Sequence, residues 1–222
     1  MTIIRTYEVH NMSEIVWTKE YKIERYREMN KTAEKGSVLF AGSSLMEMFP
    51  VEELAKADEL PVTVYNRGVG GFITDELLEN IDVCITDLAP RKLFINIGTN
   101  DLSDSSRSME MIMGNYAEIL RQVKQAIPEV KLYIMAYYPV NYDAAAPEMK
   151  ECLKIRSNEK INLANSQLVQ LAERFGGKYI NVNEPLMDEQ RRLRAEYTFE
   201  GMHINENGYR AIYPLVKKYI LE

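Results

Sequence analysis

One serine and one histidine in this chain lie where nucleophilic catalysis could use them. Ser44 closes the stretch VLFAGSS, in which an apolar run ends on a glycine and two serines. A serine hydroxyl is a weak nucleophile near neutral pH, so it needs a base within reach and an acid that orients that base. His203 and Glu200 are three residues apart in TFEGMHINENGY and could fill those two roles. The three residues predict attack on a carbonyl carbon.

Only two histidines compete for the role of base. His10 lies in an N-terminal segment that need not face the strand ends, so His203 is the better candidate. A lone histidine is often a packed or surface residue, and a serine after a strand is often part of a turn. Each of the two residues could therefore still have a structural role in place of a catalytic one.

A tetrahedral intermediate also needs hydrogen-bond donors aimed at its oxyanion. The candidates are the backbone N–H of Ser44, the backbone N–H of Gly71 and the side-chain amide of Asn100. They belong to AGSS, NRGVGG and GTND, each of which follows an apolar segment. Taken singly each block is weak evidence, because strand ends commonly carry Gly, Ser, Asn and Asp as turn residues.

Five apolar segments predict the strands that would position these residues. They are continuous runs with little alternation, which is typical of parallel strands covered on both faces. Helical stretches separate them, so we expect a three-layer α/β/α sandwich around a five-stranded parallel sheet, with its ligand site beyond the carboxyl ends of the strands. The segments are SVLFAG (37–42), VTVYN (62–66), KLFINIG (92–98), KLYIMAYY (131–138) and KYINV (178–182).

Apolar residues at spacings of three and four predict the helices. The length of 222 residues suits one domain over 1–222, in which residues 1–36 form an N-terminal extension whose helix packs on the domain. The predicted helices cover 13–32, 73–88, 109–127, 161–175 and 207–221.

Composition argues against several classes of protein. The net charge is -6 with scattered Lys and Arg, which disfavours nucleic acid or an anionic membrane as partner. The N-terminus has no apolar block of signal-peptide length, and no apolar run is long enough to span a bilayer, so we expect a soluble, cytoplasmic protein. Cys84 and Cys152 form no CxxC and suggest neither a disulfide framework nor a zinc site.

The blocks from Gly42 to His203 resemble those of the SGNH hydrolase superfamily, also called GDSL-type esterases and lipases. AGSS takes the place of the G-D-S block, NRGVGG and GTND look like the glycine and G-x-N-D blocks, and EGMH stands where D-x-x-H is usual. The phrasing is most similar to the branch related to intracellular platelet-activating-factor acetylhydrolase. The resemblance implies an SGNH hydrolase, or flavodoxin-like, fold.

The resemblance also implies site roles. Ser44 would be the nucleophile and His203 the base, with Gly71 and Asn100 as the oxyanion-hole donors. Two positions depart from the family pattern. Ser43 replaces the aspartate of the first block, and Glu200, one methylene longer than the usual aspartate, would be the triad acid. Glutamate serves as the acid in other serine hydrolases.

The expected reaction is hydrolysis of a small carboxylic ester, with carbohydrate O-acetyl groups as the first candidate. No metal or organic cofactor is needed. Tyr138, Val140 and Asn141, at the end of the fourth strand, could line the acyl or leaving-group pocket, although an aromatic strand end is as often core packing. Relatives of the acetylhydrolase type often dimerise, so a homodimer is a further expectation. Lysophospholipase or thioesterase activity is an alternative within the superfamily.

Other classes fit the residues less well. An α/β-hydrolase elbow needs G-x-S-x-G, and Met46 stands at the last position. A dinucleotide fingerprint would follow the first strand, whereas 68–73 follows the second and lacks the final glycine. Asp101, Glu200 and His203 could converge on a metal ion, but their spacing does not require one. A binding module that has lost its chemistry stays open because of the two departures.

Overall fold

A computed structural model describes residues 18–222. Its strands run in one direction and form a single parallel sheet, as the sequence predicts. In chain order the strands are β1 (Val38–Gly42), β2 (Val64–Gly68), β3 (Lys92–Asn96), β4 (Lys131–Met135) and β5 (Lys178–Ile180).

The strand order across the sheet is β2-β1-β3-β4-β5. Val38 of β1 pairs with Val64 on one side and with Lys92 on the other, so the first strand lies inside the sheet. The chain leaves β1 toward one edge and then returns across it to β3. That reversal opens a crevice beyond the carboxyl ends of these strands, where ligands bind in open α/β sheets.

Helices cover both faces of the sheet. Leu39 and Ala41 of β1 belong to one apolar core, with Ile112 and Leu168 from helices. The alternate strand residues Val38 and Phe40 belong to the other. The helices are α1 (Lys19–Asn30), α2 (Ser44–Glu47), α3 (Val51–Ala57), α4 (Thr74–Glu79), α5 (Ile81–Cys84), α6 (Met109–Ala126), α7 (Lys150–Ile155), α8 (Asn158–Arg174) and α9 (Glu206–Leu221).

The second predicted strand is displaced by two residues. The segment 62–66 begins on Val62 and Thr63, which lie at the half-exposed entrance to the sheet, and β2 proper starts at Val64 and continues to Gly68. As a result the glycine block begins inside the strand.

The helix predicted over 73–88 is wrong as a single element. It is divided into α4, α5 and a short 3₁₀ turn over Thr86–Leu88. Asn80 and Ile85 adopt non-helical backbone angles between these pieces, and the Asn80 side chain bonds back to the carbonyl of Glu76. An Asx side chain that competes for backbone groups is a known cause of such breaks.

The N-terminal helix packs on the end of β2. Thr18 caps α1 by accepting a hydrogen bond from the backbone N–H of Tyr21, and Ile23 enters the core. The Tyr26 hydroxyl donates to the carbonyl of Gly68 at 2.8 Å. The predicted residues 13–17 of this helix, and His10, lie outside the described residues.

Within residues 18–222 no helix combines the length and the apolar character needed to cross a membrane. Cys84 is buried and Cys152 half-buried, and neither forms a disulfide.

Candidate active site

Ser44 is the first residue of α2, immediately beyond the end of β1. A side chain at Gly42 would place its Cβ 1.9 Å from the carbonyl oxygen of Asn96, and Gly42 also has a φ of +150°. Only glycine lets the chain leave the strand this closely against β3. The turn presents the half-buried Ser44 to the crevice, whereas Ser43 is fully buried.

His203 lies between Ser44 and Glu200. The Ser44 Oγ is 3.0 Å from Nε2 of His203, and Nδ1 is 2.5 Å from Oε1 of Glu200. A carboxylate only accepts, so Nδ1 carries the ring proton and Nε2 is free to accept from the serine hydroxyl. The arrangement can take a proton from Ser44 and hold the resulting imidazolium against Glu200.

A tight turn returns the Glu200 carboxylate to the histidine. Gly201 has a φ of +90°, and a Cβ there would lie 2.5 Å from the carbonyl oxygen of Asn141. The backbone N–H of Gly201 donates to Oγ1 of Thr198, and its carbonyl accepts from the N–H of Asn141. This close approach explains why a glycine separates the acid from the base.

Helix α9 ties the histidine loop to the nucleophile. Asn205 caps α9 by accepting from the N–H of Gly208. One turn later the Tyr209 hydroxyl donates to the carbonyl of Leu45 at 2.7 Å, and its ring stacks on Phe49. The base and the nucleophile, 159 residues apart in sequence, are therefore joined by buried contacts.

Gly71 lies on the loop after β2 with a φ of +78°. Within residues 18–222 no acceptor pairs with the backbone N–H of Gly71 or of Ser44. The neighbouring N–H of Gly70 donates to Oε2 of Glu47 at 2.6 Å, and Oε1 of that carboxylate is 2.6 Å from Nζ of Lys22. Helices α1 and α2 thus hold the glycine loop in place.

The side-chain amide of Asn100 is held from both ends. Its Nδ2 donates to the carbonyl of Phe72 at 2.9 Å, and its Oδ1 accepts from Nη2 of Arg156 at 2.8 Å. An amide nitrogen carries two protons, so one N–H of Asn100 is left for a ligand. The hydrogen bond to Phe72 links the loop of Asn100 to the loop of Gly71, while Ser44 begins α2.

Asp101 holds the loops together through hydrogen bonds. It is fully buried, and its carboxylate accepts hydrogen bonds from the backbone N–H and hydroxyl of Thr74 at the start of α4. The Nε of Arg107 lies 3.1 Å from the same carboxylate. Among the described residues no group of three or more His, Cys, Asp or Glu side chains could hold a metal ion.

Tyr138 and Asn141, which the sequence predicts to bind substrate, make structural contacts. Tyr138 is 2% exposed and belongs to the apolar core. Asn141 bonds to the carbonyl of Leu193 and to the backbone N–H groups of 143 and 144. Val140 is also buried, although it contributes to the wall of a cavity of about 370 Å³ beside α7 and α8. Strand-end position alone did not distinguish core packing from a pocket.

Two residues of the site have no sequence signal. Arg156 lies in a stretch rich in charged and polar residues, and Glu47 is a single charge between methionines. Solvent exposure is the ordinary expectation for both side chains. Arg156 is 3% exposed. Burial lowers its pKa to about 10, while Cys152, Asp101, Tyr137 and Glu200 nearby act in the opposite direction. The guanidinium is therefore still charged at neutral pH.

Known proteins resemble this chain in sequence and in fold. The model of the GDSL-like lipase/acylhydrolase family matches residues 49–211, which begin after Ser44 and include Gly71, Asn100, Glu200 and His203. A structure from Streptococcus pneumonia, provisionally named a platelet activating factor, is 31% identical and superposes with a TM-score of 0.80, covering 91% of this chain and 92% of that one.

Two curated relatives are more distant. Subunit alpha2 of human platelet-activating factor acetylhydrolase IB is 21% identical over 79% of this chain and 72% of its own length. An N-acylneuraminate cytidylyltransferase from Escherichia coli is 26% identical over 86% of this chain, which spans only 44% of that protein. The family match covers well over half of the described sequence. This chain accordingly belongs to the GDSL-like lipase/acylhydrolase family and is a carboxylic ester hydrolase.

Proposed function

We propose that the enzyme hydrolyses small carboxylic esters through an acyl-enzyme on Ser44. The observation that carries this proposal is the chain of contacts from Ser44 Oγ to His203 Nε2 at 3.0 Å and from His203 Nδ1 to Glu200 Oε1 at 2.5 Å. It supplies a nucleophile, a base and an orienting acid in the order that serine hydrolysis needs.

In the first half of the reaction, Ser44 Oγ attacks the ester carbonyl carbon while His203 Nε2 takes the hydroxyl proton. The carbonyl oxygen becomes an oxyanion, which the N–H groups of Ser44, Gly71 and Asn100 stabilise. The tetrahedral intermediate collapses by breaking the bond to the alcohol oxygen, which receives the proton from His203. An acyl group then remains on Ser44 and the alcohol leaves.

In the second half, water replaces the alcohol. His203 takes a proton from the water as its oxygen attacks the acyl carbon, and the same donors stabilise the second oxyanion. Collapse returns the proton to Ser44 Oγ and releases the carboxylic acid. Glu200 holds the ring of His203 in one tautomer throughout and steadies its positive charge in both halves.

Acetyl esters of carbohydrates are the substrate class that we favour. The human relative is named an acetylhydrolase, which supports a short acyl group. The Escherichia coli relative is named for N-acylneuraminate, an acidic sugar, which supports a carbohydrate alcohol. Ser44 and His203 are both partly exposed, so a bulky polar alcohol can reach them without a tunnel through the protein.

Two substrate series test the proposal. Hydrolysis of p-nitrophenyl acetate, butyrate and octanoate sizes the acyl pocket, and we expect kcat/KM to be highest for acetate. Release of acetate from O-acetylated N-acylneuraminate and from acetylated xylo-oligosaccharide is then compared with release from ethyl acetate. Ser44→Ala is the blank in each assay. A preference for octanoate would favour a lysophospholipase, and no turnover above the blank with any ester would favour a binding protein.

Two further expectations stay part of this proposal. A cytoplasmic location and a homodimer are proposed, the second because the sequence resembles the acetylhydrolase branch. Fractionation of the producing cells and light scattering of the purified protein measure them directly. A monomer at micromolar concentration would contradict the second expectation without affecting the chemistry.

A further inference from the structure

Arg156 is a buried cation that contacts the candidate site through neutral groups. Its Nη2 donates to Oδ1 of Asn100 at 2.8 Å, its Nε to the hydroxyl of Ser103 at 2.7 Å, and its Nη1 to the sulfur of Met202 at 3.0 Å. Only 3% of the residue is exposed. Burying a charged group without a direct counter-charge costs free energy, which points to a specific role for Arg156 at this position.

The contact with Asn100 determines which way its amide faces. A guanidinium only donates, so it can pair with the amide oxygen and not with the nitrogen. The carbonyl of Phe72 only accepts, so it can pair with the nitrogen and not with the oxygen. Turning the Asn100 amide over would break both hydrogen bonds and set like groups against each other. The second N–H of Asn100 is thereby aimed in one direction.

The contact with Met202 extends this control to the other half of the site. Met202 lies between Glu200 and His203, so Arg156 ties the loop of the acid and base to the loop of the oxyanion donor. Hydrogen bonds in a chain polarise one another, and a cation on the amide oxygen makes the remaining N–H a stronger donor. A stronger N–H donor on Asn100 stabilises the negative charge that develops on the substrate carbonyl oxygen.

We propose that Arg156 is a positioning residue for the oxyanion hole, fixing the Asn100 amide so that its free N–H meets the oxyanion. The inference rests on the proposed function, since it assumes that Asn100 is an oxyanion donor. It requires that most of the effect of Arg156 on turnover pass through Asn100, with the Met202 contact contributing little to kcat. A residue that served only to stabilise the fold would lower activity whether or not Asn100 was present.

A double-mutant cycle with p-nitrophenyl acetate makes that distinction. We expect Arg156→Met to lower kcat roughly 10- to 100-fold with little change in KM, because small displacements of a donor cost this much. In the Asn100→Ala background the same substitution should lower kcat less than about twofold. Equal losses in both backgrounds would overturn the proposal. Arg121→Met, at an exposed arginine paired with Glu118, is the matched control and should leave kcat unchanged.

Arg156→Lys keeps the experiment decisive if the methionine variant does not fold. Lysine retains the charge but cannot reach three acceptors with a planar fork, so kcat should again fall, and again only when Asn100 is present. Wild-type kcat in this variant would overturn the proposal.

A second readout does not depend on esterase activity. The side-chain amide signals of Asn100 in a ¹⁵N-labelled sample are identified by their loss in Asn100→Ala. We expect Arg156→Lys to shift them, while Arg121→Met leaves them in place. Unshifted signals would overturn the proposal. If the wild type hydrolyses no ester but the signals move, the positioning contact stands and the proposed function fails.

Discussion

The carboxylate of Glu200 bonds twice to His203 through the same oxygen. Oε1 lies 2.5 Å from the ring Nδ1 and accepts the backbone N–H of His203 at 3.0 Å. The extra methylene of glutamate lets the side chain fold back over the Gly201 turn and reach both groups. This contact removes the main structural objection to glutamate at a position where the related blocks have aspartate.

Replacement of Glu200 therefore has a graded outcome. We expect Glu200→Gln to lower kcat roughly 10³- to 10⁴-fold, because an amide can hold the wrong tautomer of the histidine. Glu200→Asp should be intermediate, since the shorter side chain cannot reach the ring from the same backbone. Steady-state kinetics on p-nitrophenyl acetate measure both variants. Activity of Glu200→Ala within about tenfold of wild type would show that another group orients His203.

Gly71 is expected to be intolerant of any side chain. Its φ of +78° strains an L residue, and a Cβ would lie 3.1 Å from Cε of Lys19. Gly71→Ala should lower kcat on the order of 100-fold by moving its N–H away from the oxyanion. The double variant Gly71→Ala/Lys19→Ala separates the two causes. Substantial recovery would assign the loss to the lysine contact, and no recovery would assign it to the backbone.

Glu47 holds in place the loop after β2 that carries Gly70 and Gly71. Its two oxygens bond to the N–H of Gly70 and to Nζ of Lys22. Glu47→Ala removes both contacts and should lower kcat roughly tenfold with little effect on KM, since the loop loses its position rather than its substrate contacts. Glu47→Gln keeps one acceptor and should be milder. Glu53→Ala, at an exposed position on α3, is the control, and an equal loss there would refute the assignment.

Glu52 provides a pH-dependent test of stability. Burial raises the pKa of its carboxyl above the ordinary value of 4.5, against the opposing effects of the Asn66 N–H and Arg67. The folded state then binds more protons than the unfolded state between 4.5 and the raised pKa, so stability falls as the pH rises through that window. Glu52→Gln has no titrating carboxyl at this position and lacks this pH dependence. From pH 4.5 upward the free energy of unfolding of wild type should therefore fall relative to that of Glu52→Gln, as measured by urea denaturation. A constant difference across this range would contradict the assignment.

Much of the fold follows from apolar runs in the sequence. Parallel strands covered on both faces leave long uninterrupted stretches, so β1, β3 and β4 begin within one residue of their predicted starts. Boundaries were less accurate where competing effects are local. The helix predicted over 73–88 breaks at Asn80 because one side chain bonds to the backbone, which periodicity does not reveal.

Part of the candidate site was likewise predictable from the sequence, and part was not. Ser44, Gly71, Asn100, Glu200 and His203 follow strand ends or precede a helix, and topology brings such positions to one edge of a parallel sheet. The burial of Tyr138 was not predictable, because an aromatic strand end suits a core and a pocket equally well.

Arg156 is the site residue that is hardest to find from the sequence. It lies 56 residues from Asn100 in a charged stretch between helices, and only the packing of α7 against the turn at Ser103 reveals its contact. Long-range hydrogen bonds of this kind carry no local pattern. They become visible only when the loops are placed in space.

In the proposed reaction an acyl group passes through Ser44, and the covalent intermediate can be detected directly. The protein is mixed with p-nitrophenyl acetate, quenched in acid within the first turnovers, digested and analysed by mass spectrometry. We predict one acetyl group on the peptide that contains Ser44, absent from Ser44→Ala, together with a burst of p-nitrophenol in wild type if deacylation is the slower step. Undiminished turnover in Ser44→Ala, or acetyl transfer to a different residue at the same rate, would contradict the claim.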